Sequence, residues 1–308
     1  MRATEGVDDV LVPNLVIAGA PRSGTTSVYS YLRAHPEVCG SEPKETLFLM
    51  DEGYPLSRPE NDIHSSGVDA YETFFPDYDG DRHTVVMEAT PDYLYQQTAR
   101  EFFARRSGTK IVFILRRPQD RVRSVYSFAV NRTGVLPKDL SFERYVEQML
   151  DGALDIDNEI ISDSIGQSKY IEHIEKWFEL VDPDRVLLLR FEDLERDPST
   201  TMKTLASFCG IDATFYDRYP FTVINSSNVL KFGRADSALR RIVRPFRRHG
   251  WYGRLKDAVR PVYSRLQGED RSQTARSGSN EVGAQLRESF ASSNQRLNER
   301  TGLDIGDW

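Results

Sequence analysis

Short apolar runs alternate along the chain with longer stretches in which apolar residues recur every three or four positions. The short runs, at 14–18, 84–87, 110–115 and 185–189, are bounded by polar or turn residues, as expected of strands buried on both faces. Helical spacing fills 25–34, 91–105, 121–130, 142–150, 170–180 and 200–209, and returns at 281–300, where Val282, Leu286, Phe290 and Leu297 share one face. Thr90 with Pro91 reads as the cap and first turn of the second helix, and Gly210 as the stop after 200–209. This alternation predicts an α/β fold, a parallel β-sheet flanked by helices on both faces and joined by right-handed crossovers. The stretch at about 51–83 breaks the rhythm with Asp, Gly, Pro and Ser, and reads as a variable substrate loop within a single domain over 1–308.

Composition narrows the partners. The chain has 308 residues, 39% hydrophobic, so it can bury a sizeable core, and its formal net charge of −7 argues against a globally basic nucleic-acid binder. That average hides a basic segment at about 231–265, where eleven Lys and Arg face only Asp236 and Asp257. Leu239, Ile242, Val243 and Phe246 interleave with its arginines, which fits either a solvated helical face or a peripheral membrane contact. Two cysteines, Cys39 and Cys209, make neither a disulfide scaffold nor a zinc site. With no apolar run of about 18 residues and no signal-peptide pattern at the start, a cytoplasmic location is the expectation.

The first strand runs into Gly19-Ala20-Pro21-Arg22-Ser23-Gly24-Thr25-Thr26 and then directly into a helix. That is the frame of a P-loop, whose backbone N–H groups and helix N-terminus converge on an anion. Thr25 stands where nucleoside-triphosphate enzymes carry Lys, and the cation of the loop, Arg22, sits in its middle. The apolar run 110–115 ends in Arg116-Arg117, where a P-loop hydrolase would place a metal-holding Asp. Arginine in place of metal suits a second anionic group on the same ligand, and Ser124, eight residues beyond Arg116, adds a hydroxyl.

The loop Ala20 to Ser27 and the segment Leu115-Arg116-Arg117-Pro118 through Arg121 to Ser124-Val125-Tyr126 resemble the sulfotransferases that use 3′-phosphoadenosine 5′-phosphosulfate (PAPS), above all the carbohydrate, heparan-sulfate-type branch and its bacterial relatives. The resemblance implies that Pro21, Arg22, Ser23, Gly24, Thr25, Thr26 and Ser27 hold the 5′-phosphosulfate and that Arg116 and Ser124 hold the 3′-phosphate. Glu42-Pro43-Lys44-Glu45-Thr46-Leu47-Phe48 is similar to the family segment that carries the general base, which falls on Glu45. Glu88-Ala89-Thr90-Pro91-Asp92-Tyr93 resembles the E-x-[ST]-P-x-Y stretch, with Ala89 where many carbohydrate sulfotransferases have Lys. Phe191 to Pro198 and Leu303 to Trp308 also look like bacterial members. The late basic loop of the family falls on Asn225 to Ser227 with Lys231 and Arg234.

The implied chemistry is in-line transfer of a sulfuryl group to a hydroxyl, less readily an amine, of a glycan, glycolipid or small metabolite. Glu45 takes the proton and Arg22 acts electrostatically, because guanidinium keeps its proton. PAPS is the donor and no metal is expected. His64 and His83 are the reserve bases, His35 reads as a helix-end residue, and Asp193 as a turn acid. Arg117, Arg121 and Arg123 read as a solvated helix face, and an ion pair is the bland alternative for Arg116. Two rivals stay open: a P-loop small-molecule kinase, and a non-catalytic nucleotide-binding module.

Overall fold

A computed structural model describes residues 10–222 and 280–308. Five parallel strands, β1 (Leu15–Gly19), β2 (Val38–Gly40), β3 (Val85–Glu88), β4 (Lys110–Leu115) and β5 (Val186–Arg190), form one sheet in the order β2-β3-β1-β4-β5. The register sets Leu15 beside Met87 on one side and beside Lys110 on the other, and Ile111 beside Val186. The chain leaves β1 toward β2 and β3 on one side and returns to β4 and β5 on the other. The end of β1 is therefore a topological switch point, where open α/β sheets bind ligands.

Strand alternation divides the core. Leu15, Ile17, Val112 and Ile114 pack with Val28, Leu32, Met202 and Leu205 of the helices Thr25–Arg33 and Pro198–Cys209 on one face. Val16, Ala18, Ile111 and Phe113 face the opposite way, against Phe103 of the helix Gln97–Ala104 and Ile174 and Trp177 of the helix Tyr170–Phe178. A third cluster joins Val122 and Val125 of the helix Pro118–Phe128, Tyr145 and Val146 of the helix Phe142–Leu150, and Val282, Leu286 and Phe290 of the helix Asn280–Thr301. Gly210 ends its helix at φ 82°, the left-handed conformation glycine adopts freely.

The observed elements differ from the expected ones at two places. The helix predicted over 91–105 is broken, because Pro91–Tyr95 is 3₁₀ and Gln96 is extended before the α-helix Gln97–Ala104 begins. Thr90 and Pro91 do open the 3₁₀ turn, without a side-chain cap bond, whereas the α-helix is capped by Asp51, whose two carboxylate oxygens each accept at 2.8 Å from the N–H groups of Gln97 and Thr98. The Thr90 hydroxyl instead meets Glu88 at 3.5 Å and accepts from the Leu47 N–H at 3.4 Å. The three-residue strand β2 was not anticipated, being too short to show a period.

The stretch after Asp51 is built of short turns, Pro59–Asn61, Ile63–Ser66 and Val68–Phe74. It is tied down by its aromatic residues: Tyr71 is fully buried with its hydroxyl on Glu88, and the Tyr54 hydroxyl donates to Asp92 at 2.8 Å. Residues 303–308 lie over the ends of β4 and β5, where Asp307 pairs with both Arg117 and Arg190.

Candidate active site

The loop between β1 and the helix Thr25–Arg33 is shaped by backbone that resists ordinary side chains. Gly24 has φ 84°, and a Cβ there would meet the Phe191 ring at 2.7 Å, so residue 24 is restricted to glycine. Arg22 also lies in the left-handed region, at φ 69°. A non-glycine residue pays about 1–2 kcal/mol for that conformation, which persists at functional loops. Among the described residues no protein acceptor meets the N–H groups of Arg22, Gly24, Thr25 or Thr26. The Ser23 hydroxyl is buried and makes no hydrogen bond within 3.5 Å, with the Tyr170 phenol as neighbour.

The arginines gather positive charge at the loop. Arg22 donates through Nε to Ser124 Oγ at 3.2 Å, and its guanidinium stacks 4.7 Å from the Phe128 ring. Arg116 reaches back from the end of β4 to the Arg22 carbonyl at 3.4 Å and rests 4.7 Å from the Phe191 ring. The structure thus brings Arg22, Arg116 and Ser124 together from sequence positions about a hundred residues apart. Among the described residues neither arginine has a carboxylate at ion-pair distance, whereas Arg117 and Arg190 are neutralised by Asp120 and Asp307. The ion-pair alternative for Arg116 is therefore not what is seen. Burial first, then repulsion from Arg116, Arg121 and Arg132, pushes the Arg22 guanidinium below the ordinary arginine range, so an anion arriving there relieves an existing cost.

Arg121 is not on a solvated face. It is fully buried and donates to the Pro21 carbonyl at 3.1 Å, Ser168 Oγ at 2.8 Å, Tyr95 Oη at 2.9 Å, Gln167 Oε1 at 3.1 Å and the Ser164 carbonyl at 3.2 Å. Arg123 instead lies over the Phe142 ring at 4.0 Å.

Glu45 is linked to Thr25 of the loop through Lys44. Lys44 Nζ bridges the two, 3.4 Å from Thr25 Oγ1 and 2.8 Å from Glu45 Oε1. The carboxylate is half exposed, facing outward from a segment anchored beneath it. The anchor is Glu88, fully buried, which accepts from the hydroxyls of Thr46 and Tyr71. Burial pushes the Glu88 carboxyl up to about 7, against the downward pull of these hydrogen bonds, and pushes the neighbouring Asp92 up to about 6. Ala89 is buried and brings no cation, and the ammonium next to Thr25 comes from Lys44, whose role the sequence had not singled out.

The remaining candidates lie elsewhere. His35 is a buried helix-end residue with Nε2 3.1 Å from the Asp212 carbonyl oxygen, and His83 accepts from the Asp79 N–H within its own turn. His64 is exposed in a one-turn helix, and Asp193 pairs with Arg196. Lys231, Arg234 and the basic segment at 231–265 lie outside the described residues. Among the described residues no helix is long and apolar enough to cross a membrane, and no group of three or more His, Cys, Asp or Glu is gathered as a metal site.

The sequence matches the family model described as "Sulfotransferase domain" over residues 12–257. It is 26% identical over 212 residues to the human bifunctional heparan sulfate N-deacetylase/N-sulfotransferase 3, covering 65% of this chain and 22% of that protein. It is 28% identical over 145 residues to the membrane-associated sulfotransferase kil1 of Dictyostelium discoideum, covering 46% of this chain and 28% of the relative. The chain thus spans about a quarter of the length of these two relatives. A crystal structure of a sulfotransferase from Alicyclobacillus acidocaldarius shares the fold, with a TM-score of 0.67 at 19% identity, covering 97% of this chain and 99% of that one. The family match over most of the chain, on a parallel sheet whose switch point carries the loop, places this protein in the sulfotransferase family.

Proposed function

We propose that the chain transfers the sulfuryl group of PAPS to a hydroxyl of a glycan, glycolipid or small metabolite by in-line displacement. The observation that carries this reading is the pair Arg22 and Arg116, which have no carboxylate at ion-pair distance among the described residues, on a loop where the N–H groups of Arg22, Gly24, Thr25 and Thr26 meet no protein acceptor among those residues. A phosphosulfate fits that donor set: Gly24 and the N–H groups of Thr25 and Thr26 cradle the 5′ side, and Arg116 with Ser124 holds the 3′-phosphate. PAPS supplies an activated sulfuryl group with a phosphate as its leaving group. Arg22 neutralises charge where it develops, and the half-exposed Glu45 takes the acceptor proton. Lys231 and Arg234 are assigned to the nucleotide, and 51–83 to the acceptor.

Arginines in place of the loop lysine and strand-end Asp set this site apart from the kinase arrangement, and the family match agrees. The heparan sulfate relative is named an N-sulfotransferase, so an amine acceptor is the second option to test. A cytoplasmic site of action completes the proposal and is checked by cell fractionation. The function itself is tested by incubating the protein with isotopically labelled PAPS, a metabolite extract and EDTA, and identifying the labelled product. Label on an O-linked sulfate supports the reading, label on nitrogen reassigns the acceptor, and label from ATP but not from PAPS overturns it.

A further inference from the structure

The ammonium of Lys44 neither holds the nucleotide nor takes the acceptor proton, yet its place is fixed from several sides. Its carbonyl accepts from the Ala89 N–H at 3.1 Å and from Ser41 Oγ at 3.0 Å, which pins the main chain of residue 44 to the end of β3 and to the segment after β2. Two residues on, Thr46 is tied to the buried Glu88. The Lys44 side chain is only 16% exposed, whereas that of its partner Glu45 is 46% exposed. An exposed ion pair is ordinarily worth little, but here one partner is held by the fold, and the ammonium also meets Thr25 Oγ1 of the anion loop.

We propose that Lys44 is a positioning residue that couples the anion loop to the base, an inference that rests on the reading of Glu45 given above. It holds the Glu45 carboxylate on the Thr25 side of the site, where an acceptor hydroxyl must approach the sulfur in line with the nucleotide oxygen. In the transfer, the acceptor oxygen bonds to sulfur, its proton passes to Glu45, and the electron pair of the broken S–O bond stays on the nucleotide phosphate. Lys44 keeps all its protons throughout. The ammonium acts through the carboxylate, holding Glu45 oriented toward the acceptor until the proton arrives. Arg22 makes no such link, because its guanidinium is engaged with Ser124 and Phe128.

A double-mutant cycle tests the coupling. Lys44→Met is expected to lower kcat about 10- to 100-fold in the wild-type background but by less than about threefold in a Glu45→Ala background, because its effect passes through the carboxylate. Lys44→Arg is expected to recover at least about a tenfold part of the loss, since a cation is restored. Calorimetry with 3′,5′-adenosine diphosphate controls for folding, with the Lys44→Met dissociation constant staying within about threefold of wild type. Equal losses in both backgrounds, no loss at all, or abolished nucleotide binding would overturn the coupling. Turnover unaffected by Glu45→Ala itself would overturn the assignment of the base instead.

Discussion

The Arg121 guanidinium donates to the Pro21 carbonyl at 3.1 Å, so a fully buried cation on the helix after β4 supports the anion loop after β1 from beneath. Its other donors are taken by Ser164, Ser168, Gln167 and Tyr95, and its charge adds to the potential felt by Arg22. Replacement by Met strands several buried acceptors at once. Arg121→Met is expected to cost roughly 2–4 kcal/mol of stability and to weaken 3′,5′-adenosine diphosphate binding about tenfold. Thermal unfolding with and without the nucleotide checks both, and an unchanged affinity in a folded variant would show that the loop does not depend on this support.

The left-handed backbone at Arg22 sets stability against activity at a single residue. Arg22→Gly removes the conformational strain, worth about 1–2 kcal/mol, while deleting the cation of the loop. The variant is expected to keep or raise its melting temperature and to lose on the order of 10²-fold or more in kcat. Differential scanning calorimetry and labelled-PAPS turnover, measured on the same preparation, read the two effects separately.

Gly24 carries the opposite expectation. Its φ of 84° and the 2.7 Å approach of a Cβ to the Phe191 ring mean that Gly24→Ala must both strain the backbone and displace the ring on which Arg116 rests. A loss of about 1–3 kcal/mol in stability together with weakened nucleotide binding is predicted, measured by denaturant unfolding and calorimetry.

The carboxyl of Glu88 gives stability a pH dependence of definite sign. Burial raises its folded pKa to about 7 from an ordinary 4.5, so the folded state binds the proton more tightly than the unfolded chain. The stabilisation is complete below about 4.5 and is lost as pH rises through 7; Asp92, raised to about 6, contributes in the same sense at lower pH. Glu88→Gln, which keeps a neutral group able to hydrogen-bond Thr46 and Tyr71, is expected to flatten the fall in melting temperature across this window. An unchanged slope would contradict the assignment.

The sequence made four of the five strands and the loop legible because they rest on local pattern: apolar runs of four to six residues, and a glycine frame between a strand and a helix. β4, at 110–115, and the helix Phe142–Leu150 fall where their periodicity put them. Helix Gln97–Ala104 did not, since its cap comes from Asp51, some 46 residues upstream, a contact invisible to local reading. Arg121 carried a signal that went unused: it shares the buried face of its helix with Val122 and Val125, and a charged residue on an apolar stripe marks a buried polar network, not a solvated face. Lys44 lay inside the stretch quoted for Glu45, but only the fold shows its ammonium beside Thr25.

The central claim is that Arg22, Arg116 and the loop 19–26 form the nucleotide site, and calorimetric titration with 3′,5′-adenosine diphosphate tests it most directly. One saturable site is expected in the wild-type chain, weakened at least about tenfold by Arg116→Ala, which corresponds to the loss of a charge-assisted phosphate contact. No binding by the folded wild type, or the same affinity after Arg116→Ala, would contradict it.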